Sequence, residues 1–294
     1  MRYRLVRAFS GVHTQGVTQA AFSPDGASLA TSDLGGRVCV WGTWTGALLH
    51  YYTPGTSILS LVWADLNTIF CGLGDGTVIT MYLGNNKINI LGSWTHAYPV
   101  EQLAISGKRL ASGAHSEVFI WKISDPSREH ATVVKELGEP VKSDGREVIV
   151  TGLHWTTPPG RSAKGLLIAT YMHHGVFLFD CQSWALLRRF GGDAPGARSS
   201  LSPDGSRLAV SNLVYGFDIY DVDTGALALA VTHDIGKEYP APVLYIHGGH
   251  AIVGGSTVGM VNIWYVDQTI SRKMQTLSVS GRFLYARPVE GAIC

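Results

Sequence analysis

Histidine and glycine supply the residues of this sequence whose spacing comes nearest to chemistry. His173 and His174 stand side by side, and a metal set would need His115 or His154 to complete it. Adjacent side chains in a strand point to opposite faces, so one ion rarely takes both, and no metal site is expected. HGGH at 247–250 offers backbone N–H groups of the kind that hold an oxyanion. The chain contains no G-x-S-x-G nucleophile turn, so a turn between two strands is the expectation there. GLGDG at 72–76 lacks the GxGxxG spacing and the following helix of a phosphate loop. Lying between two strand-like runs, it reads as a β-turn. The acidic residues are dispersed, and the sequence alone pairs no two carboxylates for glycosidase chemistry. The expectation is therefore a non-enzymatic protein with no catalytic residue, no cofactor and no metal, and an enzyme is the last alternative.

Composition narrows the setting. Of 294 residues, 46% are hydrophobic and 15% charged, and 35 are glycine. An average soluble domain is about 25% charged, so a disordered chain and a charged coiled coil are excluded. Lys plus Arg is 23 and Asp plus Glu is 22, a net charge of +1, which gives broad attraction to nucleic acid little to act on. The four cysteines, Cys39, Cys71, Cys181 and Cys294, are scattered without CxxC spacing, which fits a reduced, intracellular setting, cytoplasmic or nuclear. No run of 18 apolar residues predicts a membrane helix. Arg2, Arg4 and Arg7 precede the first acidic residue, Asp25, as in a mitochondrial presequence. YRLVRAF nevertheless alternates like a strand, and the strand reading is preferred.

The elements that would position these residues come from an internal repeat. SPDG stands at 23–26 and again at 202–205, TGAL at 45–48 and again at 224–227, both 179 residues apart. LATS at 29–32 and LAVS at 208–211 share that offset. A shorter period lies within it. Trp41, Met81, Trp121, Phe179, Tyr220 and Trp264 each end a strand-like run, at spacings of 40, 40, 58, 41 and 44. The long spacing follows from two polar, Gly/Pro-rich insertions at 138–147 and 156–165. The pattern predicts units at 17–52, 58–93, 100–137, 148–190, 197–232 and 242–278, in a single domain spanning 1–294. Each unit is a set of short strands that cannot bury both faces alone, so neighbours must stack on it.

An apolar strand, an SPDG turn, an L-A-[TS] strand, a DG-type turn, a V-x-[IV]-W strand and a TG turn together resemble the WD-repeat family. The resemblance implies an all-β propeller of four-stranded antiparallel blades. It also implies a polar network of His, Ser/Thr, Asp and Trp. His13, Thr31 and Trp41 match in the first unit, with Leu34 or Gly35 near the Asp position. His96, Ser112 and Trp121 match in the third, with His115 or Ser116 in the turn. The second has Asp75 without a Trp, so no unit is expected to be complete. Residues 3–8 and a strand around 282–288 predict an incomplete seventh blade beyond six full ones, with open edges for self-association.

Such a scaffold acts by holding loops for protein or peptide partners. Loops between blades and after each second strand share one end of a blade, and they carry Trp94, His96, Tyr98, His115, Met172, His173, Tyr215 and Tyr239. Aromatic side chains at that density suit partner contacts. Trp44 and Trp184 are the comparable anchors at the opposite end. LRRFGG at 187–192 is similar to the F/L-R-R-G motif of phosphoinositide-binding propellers, with Phe190 intervening before Gly191. Arg188 and Arg189 are therefore the candidates for the alternative, a membrane-lipid surface. Otherwise they are charges on an outer strand that discourage edge pairing.

Overall fold

The structure, a computed structural model, describes residues 6–84, 87–123, 131–140, 145–157, 165–192, 194–237, 241–266 and 271–278. The described residues divide into two compact units. The first holds the first three blades apart from Ser116–Val118 and the end of the last strand of the third, and the second holds the other three.

Each blade is a four-stranded antiparallel sheet whose strands pair in chain order. Blade 1 consists of β1 (Val17–Phe22), β2 (Ser28–Asp33), β3 (Val38–Gly42) and β4 (Leu48–Tyr52). Blade 2 consists of β5 (Ile58–Trp63), β6 (Thr68–Leu73), β7 (Thr77–Leu83) and β8 (Ile88–Trp94). Blade 3 consists of β9 (Gln102–Ser106), β10 (Arg109–Ala114), β11 (Glu117–Lys122) and β12 (Thr132–Leu137). In the second unit, blade 4 is β13 (Val150–Thr156), β14 (Leu166–Tyr171), β15 (Gly175–Asp180) and β16 (Leu186–Phe190). Blade 5 is β17 (Gly196–Leu201), β18 (Arg207–Asn212), β19 (Gly216–Asp221) and β20 (Leu227–Thr232). Blade 6 is β21 (Val243–Ile246), β22 (Ala251–Gly255), β23 (Met260–Val266) and β24 (Ser271–Ser278).

Burial follows the strand's place in the blade. Second and third strands are covered on both faces and read as near-continuous apolar runs, such as TIFCGL in β6 and GVFLFD in β15. Fourth strands are largely exposed, as in LLHYY of β4 and LLRRF of β16. The register breaks at a recurring place, next to the residue that ends the third strand: Val40/Trp41, Leu178/Phe179, Ile219/Tyr220 and Ile263/Trp264. An extra residue there deepens the local twist of the outer strand.

Within each unit the first strands of successive blades lie side by side, and a hydroxyl on one blade ties it to the next. Thr18 donates to the Ile58 carbonyl at 2.6 Å and Ser60 to that of Val100 at 2.8 Å. Thr151 donates to Gly196 O at 3.1 Å, and the Tyr245 N–H donates to Ser200 Oγ at 3.0 Å. Trp63 adds a further tie in the first unit, its indole N–H reaching Ala21 O at 2.9 Å.

Six blades are present, and the described residues show no seventh. Residues 6–8, the described part of the strand expected at 3–8, are not in a strand. Arg7 instead donates to the Thr45 carbonyl at 3.0 Å and to the Trp44 carbonyl at 2.6 Å, fastening this stretch to the β3–β4 turn. Residues 1–5 and the expected strand around 282–288 lie outside the described residues.

Candidate functional site

The polar network expected in the first unit is complete, which corrects the expectation that no unit would be. The Trp41 indole N–H donates to Thr31 Oγ1 at 2.9 Å, and Thr31 Oγ1 lies 2.7 Å from His13 Nε2. His13 Nδ1 lies 2.7 Å from a carboxylate oxygen of Asp33. The assignment that satisfies every donor runs Trp41 N–H to Thr31, Thr31 O–H to His13 Nε2, and His13 Nδ1–H to Asp33. The acidic member is thus Asp33, at the end of β2, rather than a residue at 34 or 35. In blade 3, Trp121 N–H donates to Ser112 Oγ at 2.7 Å, and His96 Nε2 meets the same oxygen at 2.7 Å.

Blades 2, 4 and 5 replace both partners of this bond together, whereas blade 6 keeps the tryptophan, Trp264, and lacks only the hydroxyl. Pairing of Leu29 with Trp41 fixes the corresponding positions. Ile69 opposes Met81, so Cys71 takes the place of Thr31, and the Cys71 and Met81 sulfurs lie 3.8 Å apart. By the same register Ala169 goes with Phe179, Val210 with Tyr220 and Gly254 with Trp264. In blade 6 the space left by the missing hydroxyl is filled by Phe217, into which a Cβ on Gly254 would run. His233 stacks on Phe217 at 5.0 Å and leans on Trp264 at 4.9 Å, so its ring is held by aromatic contact instead of a hydroxyl. Burial lowers the His233 pKa.

In the first unit the candidate partner residues fall into one contiguous patch. The β6–β7 turn and the β8–β9 connection are joined by the Thr95 and His96 N–H groups, both directed at Gly76 O, and by Val100 N–H on Leu73 O. Gly76 has φ +87°, and a Cβ there would collide with the His96 carbonyl, so this close approach requires glycine. Trp94 is 76% exposed, yet its indole N–H is fixed on Asp75 O at 2.9 Å. Tyr98 is 43% exposed and stacks on His115 at 4.5 Å and 23°. His96 differs from its neighbours: it is 1% exposed, holds Ser112, and stacks on Phe119 at 4.4 Å. Trp94, Tyr98 and His115 are thus brought to the surface together, and His96 lies beneath them.

In the second unit Met172 and His173 occupy the half-buried β14–β15 turn, which Gly196 N–H fastens through the Met172 carbonyl at 2.8 Å. The Tyr215 hydroxyl donates to Asp218 Oδ1 at 2.6 Å, and Asn212 Nδ2 donates to Asp218 Oδ2 at 2.8 Å. Tyr215 therefore anchors its own turn by satisfying a buried carboxylate. Tyr239 lies outside the described residues. At the other end, Trp184 packs edge-on against Trp155 at 6.2 Å in the second unit. Trp44, in the first unit, is 81% exposed.

The lipid candidates have protein partners. The Arg188 guanidinium donates to Thr224 O. Arg189 Nε donates to His174 O at 3.0 Å, with the guanidinium 5.4 Å from the Phe177 ring centre. HGGH is a turn between β21 and β22, its first three residues a short 3-10 turn, and GLGDG spans the end of β6 and its turn into β7.

One serine–histidine pair was not anticipated. His154 Nε2 lies 2.9 Å from Ser199 Oγ, which is 2.8 Å from Thr170 Oγ1, and Thr170 donates to Gly152 O at 3.1 Å. Since the Thr170 proton is committed to Gly152, Ser199 must donate to Thr170, and His154 Nε2–H must donate to Ser199. The serine proton points away from the imidazole, the reverse of what an activated nucleophile requires. Burial pushes His154 down to about 4, so the ring is neutral at pH 7. Burial likewise pushes the Cys39 thiol up to about 11 and the Cys71 thiol up to about 12, away from the reactive thiolate. Among the described residues no cluster of His, Cys, Asp and Glu has the arrangement of a metal site, and no helix is long and apolar enough to cross a membrane.

Six four-stranded antiparallel blades define a β-propeller. The family model of the WD domain, G-beta repeat, matches residues 4–42, the stretch that carries His13, Thr31, Asp33 and Trp41. The match lies in blade 1, and together with the six blades it supports a WD-repeat β-propeller. A search of curated proteins finds no match to it.

Proposed function

We propose that this protein is a non-enzymatic scaffold that binds protein or peptide partners through the loops carrying Trp94, Tyr98 and His115 in the first unit and Met172, His173 and Tyr215 in the second. The observation that carries the reading is Trp94. A tryptophan with three quarters of its surface in water is costly to display, and here a hydrogen bond to Asp75 O holds the ring in one place. A rigid, amphipathic anchor of this kind loses little entropy when a partner covers it. The unreactive direction of the His154–Ser199 bond supports the non-enzymatic part. The lipid reading is the weaker one, because Arg188 and Arg189 would have to leave acceptors they already hold.

The reading also puts the protein inside the cell, so partners are to be purified from cytoplasmic and nuclear extracts. A Trp94→Ala/Tyr98→Ala variant is expected to lose partners retained by wild type, at about 1 to 3 kcal/mol per anchor. Trp44→Ala/Trp184→Ala is expected to keep them. Loss confined to the second variant, with both folded by circular dichroism, puts the interaction at the opposite end.

Self-association through blade edges belongs to the same proposal. Leu48, Leu49 and Tyr51 make β4 an exposed outer strand without charge, the kind of edge that pairs with another chain. Light scattering after size exclusion is expected to show a concentration-dependent dimer, weakened by Leu49→Lys. A monomer at every concentration removes this part.

A further inference from the structure

We infer that the Trp94–Tyr98 surface of the first unit recognises a cationic side chain, lysine or arginine, presented by a protein partner; the inference rests on the proposed scaffold role and names the chemistry of its ligand. Four contacts bring together the turn 73–77, the connection 94–101 and the residues 113–115: Trp94 on Asp75 O, Val100 N–H on Leu73 O, Glu101 N–H on Gly113 O, and Tyr98 on His115. These segments contain two carboxylates, Asp75 and Glu101, and no lysine or arginine. Both acidic residues are exposed, and neither takes part in an ion pair among the described residues. Arg37, the basic residue of the β2–β3 turn in the preceding blade, is committed to the Val12 carbonyl.

Two aromatic rings are presented at the same place. The indole edge of Trp94 is used by Asp75 O, which leaves its π-face open. One face of Tyr98 is covered by His115 and the residue is still 43% exposed. Among the described residues the cation over a ring is Arg189 over Phe177, in the other unit, so neither Trp94 nor Tyr98 is already matched. A cation is attracted by an aromatic face and by uncompensated carboxylates alike, and its aliphatic stem covers apolar ring surface. An anionic or purely apolar ligand would meet the carboxylates unfavourably or leave them unpaired.

The test is selection of random dodecapeptides displayed on phage against the full chain, followed by fluorescence anisotropy of the retained peptides. Retained peptides are expected to carry Lys or Arg, and replacing that residue by Gln should weaken binding about tenfold. Asp75→Asn/Glu101→Gln should weaken it to a similar extent, and raised salt should do so for wild type but less for this variant. Asparagine preserves the turn that Asp75 makes with the Thr77 N–H, so the variant keeps its fold. Peptides that need Trp94 and Tyr98 but are indifferent to the Gln replacement and to the two carboxylates overturn the inference and leave the scaffold reading standing. Peptides indifferent to Trp94→Ala/Tyr98→Ala overturn both, and failure to retain any peptide overturns the cation preference.

Discussion

Asp33→Ala is expected to lower the free energy of unfolding by about 3 kcal/mol, because two N–H donors lose the carboxylate that accepts them. Asp33 is fully buried, and its oxygens accept His13 Nδ1–H at 2.7 Å and the Arg37 N–H at 2.9 Å. Alanine leaves both donors without an acceptor and removes the end point of the chain from Trp41 through Thr31 and His13. His13→Ala in the Asp33→Ala background should cost less than in wild type, by more than about 1 kcal/mol, because the two residues act as one unit. The control is Asp75→Ala, at an exposed turn where the carboxylate accepts the Thr77 N–H, with an expected cost under about 1 kcal/mol. Urea unfolding of the four variants decides the matter. A loss below about 1 kcal/mol for Asp33→Ala would mean that water or rearrangement satisfies the network, and that it does not hold blade 1.

Acid should destabilise this protein partly through one histidine. In the fold, burial holds His154 at about 4, whereas in the unfolded chain it returns to its ordinary value near 6.5. Between those values the unfolded state binds the extra proton, so folding loses free energy as pH falls through that window and loses no more from this group below it. The full difference corresponds to about 3 kcal/mol, and partial exposure of the ring reduces it to about 2. His154→Gln keeps a donor for Ser199 without titrating in this range. Wild type minus variant stability should therefore fall by about 2 kcal/mol from pH 7 to pH 4. Burial also lowers His233, so the variant should keep part of the acid slope with the same sign. A difference that stays flat across pH 4 to 7 would mean that the His154 pKa is the same folded and unfolded.

The blades were legible in the sequence because each closes on a residue that fills the same core position. Met81 could be placed midway between Trp41 and Trp121 for that reason, and it pairs with Ile69 as Trp41 pairs with Leu29. The network was only half legible. A search for its acidic member in the turn passes over Asp33, which is still in β2. The overlooked signal is the two-residue period of a strand: Thr31 and Asp33 share a face, so both reach His13. His154, Ser199 and Thr170 could not be joined from sequence, since they lie on three strands of two blades and no local pattern sets that alignment. The same holds for Trp94. Its ring was a natural choice for a surface anchor, but its fixation by Asp75 depends on Gly76 admitting the β8–β9 connection. His96, close by in sequence, shows the limit of reading a loop by composition, since a shift of two residues turns the side chain from solvent into the blade.

The blades that lack a Trp–hydroxyl bond have exchanged both of its members, or filled the gap from a neighbouring blade, as Phe217 does beside Gly254. A hydroxyl without its indole would strand a polar atom in a dry layer, whereas blade 6 keeps the Trp264 indole and packs Phe217 and His233 against it. Inheritance at these positions is therefore expected to move in linked steps, with single changes short-lived and double changes lasting. Each blade is then free to differ from its siblings while the positions inside it stay matched to one another, which is how six blades can share a shape and so few residues.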